Sequence, residues 1–152
     1  MTLGPLPWLE ADIQRILPHR QPFLFVDRIV AIEPDRRVIG YRTWASVEAL
    51  VTLPDSSHAV PAPYLTECMA QVGAVLILAK PENHGRLIYF LGIDRVRFRS
   101  VVRAGETLEV EAQVLRMRSR IGTLRGTARV GSRKVAEGAM TFALAGPAEA
   151  AA

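Results

Sequence analysis

From Cys68 to Ala79 the chain carries one strongly polar side chain, Gln71, and a carboxylate, Glu67, stands at the head of this run. A segment this apolar has no polar stripe to turn toward water. If helical, it must be wrapped by the rest of the fold, not laid on a surface. The stretch from Pro63 to Ala79 is slightly short for spanning a bilayer and contains Glu67 and Gln71, so a buried core helix is expected and no membrane partner. An isolated charge there costs too much free energy to leave uncompensated. Glu67 must be paired, or neutralised by a raised pKa. Carboxylates held in this way are often general acids or bases, the alternative being a structural carboxylate bound to Arg or a backbone amide. Gln71, at i+4, shares the face of Glu67 and is expected either to orient it or to satisfy backbone groups.

The apolar period around this segment is that of strands. Phe23 to Ile32 and Val38 to Trp44 read as strands about the turn Glu33-Pro34-Asp35, and Leu87 to Phe98 as a strand pair or one long strand. Leu108, Val110, Ala112 and Val114 alternate with polar residues, then the phase flips at Leu115 and Met117, which predicts a β-bulge or bend. Two further alternating runs, Leu124 to Val130 and Ala136 to Leu144, complete an antiparallel meander. Asp12 to Leu17 reads as a short helix capped by Asp12, and Leu53 to Pro63 as a loop. The economical architecture is α+β: a long curved antiparallel sheet wrapped round one central apolar helix. Its open edge invites pairing with a second copy, giving a homodimer or a higher oligomer of dimers.

With 152 residues, 49% apolar and 22% charged, one domain over 1–152 is expected, with a frayed tail at 145–152. The lone cysteine, Cys68, excludes a disulfide scaffold and a multi-cysteine zinc site. It fits a reducing, cytoplasmic setting. The net charge of +4 favours an anionic partner. No zinc-finger spacing or RNA-binding motif is present and aromatics make up 7%, so nucleic acid is not expected.

Three segments together resemble the hotdog-fold 3-hydroxyacyl-acyl-carrier-protein dehydratases. They are Ile16-Leu-Pro-His-Arg20 with Pro22-Phe-Leu-Phe-Val-Asp27-Arg28, Glu67-Cys-Met-Ala-Gln71, and Tyr89-Phe-Leu-Gly-Ile-Asp94 running on to Phe98. The resemblance implies the hotdog fold, no metal or cofactor, and an acyl carrier protein presenting a phosphopantetheine-linked acyl substrate. The family signature His-Phe-Pro-Gly-x-Pro-x-x-Pro-Gly-x-x-x-x-Glu, laid with its Glu on Glu67, puts its histidine on Leu53 and its last Pro-Gly on Pro61 and Ala62. This chain instead has a histidine at His58, five positions nearer the helix. It resembles a divergent branch of these dehydratases, including those of aryl-polyene synthesis.

Dehydration of a 3-hydroxyacyl thioester removes an α-proton, protonates the departing hydroxyl and needs the thioester oxygen stabilised. The resemblance gives the catalytic pair as His58 for the α-proton and Glu67 for the hydroxyl. Ala62, at the helix N-terminus, would serve the oxyanion. Gln71 would orient Glu67, while Tyr64, Met69 and Phe90 would line an acyl tunnel or simply fill the core. His19 is expected to be a hydrogen-bonded packing residue. Arg95, Arg97 and Arg99 alternate with Val96 and Phe98 and are expected on one side of a strand, as a carrier-protein docking face or a solvated one. Two rival readings are a hotdog thioester hydrolase, and a non-catalytic acyl-thioester-binding subunit paired with another dehydratase that supplies the histidine.

Overall fold

The computed structural model describes residues 3–45 and 50–147. In chain order the elements are β1 (Trp8–Leu9), α1 (Glu10–Ile13), β2 (Arg28–Glu33), β3 (Arg37–Thr43), β4 (Val51–Thr52), β5 (His58–Ala59), α2 (Ala62–Leu78), β6 (Arg86–Phe98), β7 (Thr107–Arg118), β8 (Ile121–Val130) and β9 (Arg133–Pro147). A 3-10 turn, Pro81–Asn83, follows α2, and Asn83 Nδ2 donates to the Ile77 carbonyl at 2.8 Å, closing the helix end. Seven strands form one antiparallel sheet in the order β1-β2-β3-β7-β8-β9-β6, while β4 and β5 make a separate small hairpin. Among the described residues no helix is long and apolar enough to cross a membrane.

α2 is wrapped as its composition demands: every residue from Cys68 to Leu78 is buried. The sheet meets it with small residues. Ala112 on β7 and Gly126 on β8 stand directly opposite one another and face Gly73 and Met69 of α2, forming a shallow trough. A Cβ added at Gly126 would lie 2.8 Å from the Cβ of Met69 on the helix. Met69 is therefore a core residue, sealed against the sheet.

The bulge expected where the apolar phase flips is present, with the β7–β8 register shifting between Val114 and Arg116. β6 is one long strand with three register shifts against β9. The hairpin β2–β3 turns at Asp35, whose φ of 63° places it in the left-handed region. Four expectations are corrected. α1 begins at Glu10, so Asp12 is its third residue, its carboxylate reaching back to the Leu9 N–H at 3.4 Å instead of capping a later helix. Residues after Ile13 continue as a turn held by Leu17 N–H on the Ile13 carbonyl. Phe23 to Asp27 is not strand, because Phe23 and Phe25 bond side chains of α2 instead of a neighbouring strand. The Leu53–Pro63 loop holds β5, and residues 145–147 belong to β9.

Candidate active site

Glu67 lies one turn into α2, and its Oε1 accepts a hydrogen bond from Gln71 Nε2 at 2.8 Å. On the same oxygen stands His19 Nε2 at 3.5 Å. Burial pushes the Glu67 carboxyl up. The bonds from His19 and Gln71, with the charge of His19, outweigh it and leave the group below its ordinary value. Of the two routes open to a carboxylate in this segment, the structure takes pairing. Gln71 is 1% exposed and performs both roles weighed for it. Its Nε2 also donates to the Phe23 carbonyl at 2.8 Å, and its Oε1 accepts the Phe25 N–H at 2.7 Å. Cys68 adds a third tie, Sγ to the Phe25 carbonyl at 3.1 Å, and burial pushes its thiol far up. Cys68 is thus an inert anchor.

A cleft of about 190 Å³ opens from this cluster and runs along α2. Leu17, Pro18 and His19 form one wall, Ala70, Ala74 and Leu78 the floor, and Leu87, Ile88 and Phe90 of β6 the other wall. Phe90 is therefore on the cleft as expected, whereas Tyr64 packs on the Phe25 ring, centroids 4.9 Å apart, away from it. The shape is an apolar slot with a carboxylate, an imidazole and an amide at one end. Among the described residues no group of three or more His, Cys, Asp and Glu side chains is gathered as a metal ion would need.

The histidine beside Glu67 is His19 of the same chain, not His58. His58 sits in β5 opposite Thr52, its carbonyl accepting the Ala104 N–H at 3.0 Å, and no bond within the chain joins its ring to Glu67. β5 pairs with β4 and bridges to Arg103 through Ala59, and His58 is not among the residues lining the Glu67 cleft. His19 thus lines the cleft and packs against the Glu67 carboxylate. The sequence signal that could have found it was its place in Ile16-Leu-Pro-His-Arg20, ahead of a segment that Gln71 and Cys68 draw onto α2.

At the helix N-terminus Pro61 is the cap, Ala62 the first helical residue and Pro63 the second. Pro63 has no N–H, and that of Tyr64 is donated to the Pro61 carbonyl at 2.9 Å. Ala62 lines a second, shallower groove of about 370 Å³ with Leu53, Pro61, Leu65, Phe98 and Arg99. On the convex face of the sheet, Arg95, Arg97 and Arg125 surround a broad bowl of about 610 Å³ with Asp94 and Glu137. The simple alternation expected of Arg95, Arg97 and Arg99 is broken. Arg95 has φ 53° at a bulge between Asp94 and Arg97, which turns Val96 onto Gly138. Arg99 does not line the bowl but is ion-paired with Glu137. Arg99 and Lys134 hold the Glu137 carboxyl down at about 2.

A long antiparallel sheet curled round a single buried helix, with a lone carboxylate near the helix start above an apolar slot, is the hotdog architecture. Solved structures agree. The dehydratase heterocomplex ApeI:P from Xenorhabdus doucetiae aligns with TM-score 0.75 at 19% identity, covering 96% of this chain and 95% of that one. A hypothetical thioesterase with coenzyme A from Streptococcus pneumoniae aligns at 0.59 and 13% identity, covering 78% and 85%. Sequence relatives narrow the class. The 3-hydroxyacyl-[acyl-carrier-protein] dehydratase FabZ of Bacillus velezensis is 43% identical over 134 residues, 88% of this chain and 95% of that protein. That of Desulforamulus reducens is 44% identical over 133 residues, 87% and 94%. The model of the ApeP-like family, the ApeP dehydratases, matches residues 11–151, and the chain belongs to that family.

Proposed function

We propose that this dehydratase acts on 3-hydroxyacyl thioesters carried on acyl carrier protein, giving the trans-2-enoyl thioester, with Glu67 as the group that exchanges protons with the substrate. The observation that carries this is a half-exposed carboxylate, one oxygen of which takes the Gln71 donor and faces His19, at the end of an apolar slot. An ionised Glu67 can take the α-proton, and the acid so formed can return it to the departing hydroxyl, which leaves as water. His19 and Gln71 hold the carboxylate through that exchange. The amide of Ala62, the first-turn donor left since Pro63 has none and Tyr64 has spent its own, opens on the second groove and would serve the thioester oxygen of a substrate held in the cleft of a paired subunit. Family relatives named for carrier-protein substrates support the substrate class. The bowl of Arg95, Arg97 and Arg125 is our choice of docking face for the acidic carrier, with Arg99 shaping it through Glu137.

A second reading has a specific observation behind it. β6 is an edge strand, with the Glu67 cleft at its Phe90 end and the Ala62 groove at its Phe98 end. Antiparallel pairing of two such edges about their midpoint would set the groove of one subunit beside the cleft of the other. His58, or a histidine of an unlike dehydratase subunit, could then supply the α-proton base. The match to a heterocomplex supports the unlike partner.

The test is enoyl formation from a 3-hydroxyacyl carrier-protein thioester by wild type, Glu67→Gln, His19→Ala and His58→Ala. Glu67→Gln should lose at least about 100-fold. A comparable loss in His19→Ala with His58→Ala near wild type supports the pair within one chain. Loss in His58→Ala, recovered on mixing with Glu67→Gln subunits, moves the base across the edge. A wild type silent alone but active with a second dehydratase chain identifies the unlike partner.

A further inference from the structure

We propose that Gln71 is a positioning residue that obliges the Glu67 carboxylate to react through Oε2 and to start the reaction ionised. The role rests on Glu67 being the proton-exchanging group. The Gln71 amide has three partners in fixed directions: the Phe25 N–H on its oxygen at 2.7 Å, and the Phe23 carbonyl and Glu67 Oε1 on its nitrogen, each at 2.8 Å. Turning the amide over would set N–H against N–H at Phe25, and oxygen against oxygen at both Phe23 and Glu67. Such a flip leaves the buried Phe25 N–H unpaired and sets two like-signed oxygens against the amide oxygen, so the backbone of the 23–25 segment dictates that Glu67 meets a donor. That segment cannot adjust easily. Cys68 holds the Phe25 carbonyl, the Asp27 N–H is bonded to the Tyr41 carbonyl at 2.8 Å, and the Phe25 ring packs on both Tyr64 and Trp44.

The consequence falls on one oxygen. Oε1 takes the Gln71 donor and faces His19, whereas Oε2 has no hydrogen bond among the described residues. A carboxylate so held offers Oε2 to the substrate. Its ionised form is favoured by a donor that cannot become an acceptor. The ionisable groups around it are few. His19 faces it from the segment after α1, Cys68 follows it on α2, and β6 presents Leu87, Ile88 and Phe90 to the cleft. The Asp27–Arg42 pair stands over the Phe25 ring.

The experiment is the pH profile of kcat and kcat/KM for the wild type, Gln71→Met, Gln71→Glu and Cys68→Ala. Gln71→Met removes the donor at similar volume. We expect kcat to fall about 10- to 100-fold with KM little changed, and the acid limb to move up by about one pH unit. Gln71→Glu, of the same shape, makes Glu67 share a proton with a second carboxyl and should move the limb the same way; it carries the test if Gln71→Met does not fold. Cys68→Ala loosens the same segment without touching Glu67. It should lower the melting temperature and leave the limb in place. An unmoved limb in a folded Gln71 variant, or an equal movement in Cys68→Ala, overturns the proposal. Retained activity in Glu67→Gln would instead remove the reading of Glu67 on which it rests.

Discussion

Glu67 shows how a single charge survives in an apolar helix. It sits near the helix start, where the sheet no longer covers every face, and shares one oxygen between His19 and Gln71. Its net shift is downward despite burial, and the sign of its effect on stability follows. A carboxyl whose folded pKa is depressed adds stability above its unfolded value, near 4.3, and that contribution fades as pH falls through the folded value. Urea midpoints measured from about pH 6 to pH 3 should therefore fall more steeply in wild type than in Glu67→Gln. Equal slopes would mean that the His19 and Gln71 contacts do not favour the ionised form in solution. The position of Glu67 was legible from the sequence, since a lone charge at the head of an apolar run has few places to go. Its contact with His19 was not. That contact depends on how the Phe23–Asp27 segment is pulled from strand pairing onto α2, a tertiary effect that no local period records.

Between elements, the decisive relation is the fit of α2 into the trough of the sheet. The strand periods, the bulge after Val114 and the central helix could all be read from alternation, because period 2 and period 3.6 are imposed by backbone geometry. The short hairpin β4–β5 could not, because its two-residue strands are held by long-range bonds to Arg103 and Ala104. The alternation expected of Arg95, Arg97 and Arg99 fails for a related reason: one bulge at Arg95 resets which residues face outward. Helix approach makes a direct demand at Gly126, where an added methyl meets the Met69 Cβ, an atom fixed to the helix backbone and not a flexible tip. Gly126→Ala should destabilise the fold by about 1–3 kcal/mol in chemical denaturation. Gly146→Ala, with nothing within 4 Å of the added carbon, should be close to neutral. If both variants were equally stable, the helix would have room to lift from the sheet and the slot beneath Glu67 would not be rigid.

At the scale of the molecule, the exposed edge of the sheet borders both grooves. β6 is the last strand, paired on one side with β9, and along it Tyr89, Leu91, Ile93 and Phe98 are exposed by 47% or more. A long apolar edge with unpaired backbone groups is a template for another strand, and soluble proteins keep such edges only when something covers them. The cleft and the groove lie at its two ends, so whatever pairs with β6 also closes the open side of the Glu67 site. Ile93 stands near the midpoint, opposite Met140, where two antiparallel copies of the strand would meet. Replacing it with Lys places a charge at the centre of that contact while leaving the β6–β9 pairing on the far side intact. Sedimentation should find the wild type at twice the chain mass or a multiple of it, and Ile93→Lys shifted toward the single chain. Dehydration should fall with the shift, and raising the protein concentration should restore both together. A variant that remains assembled and active would place the subunit contact elsewhere, and a variant that becomes a fully active single chain would show that one protomer holds a complete site.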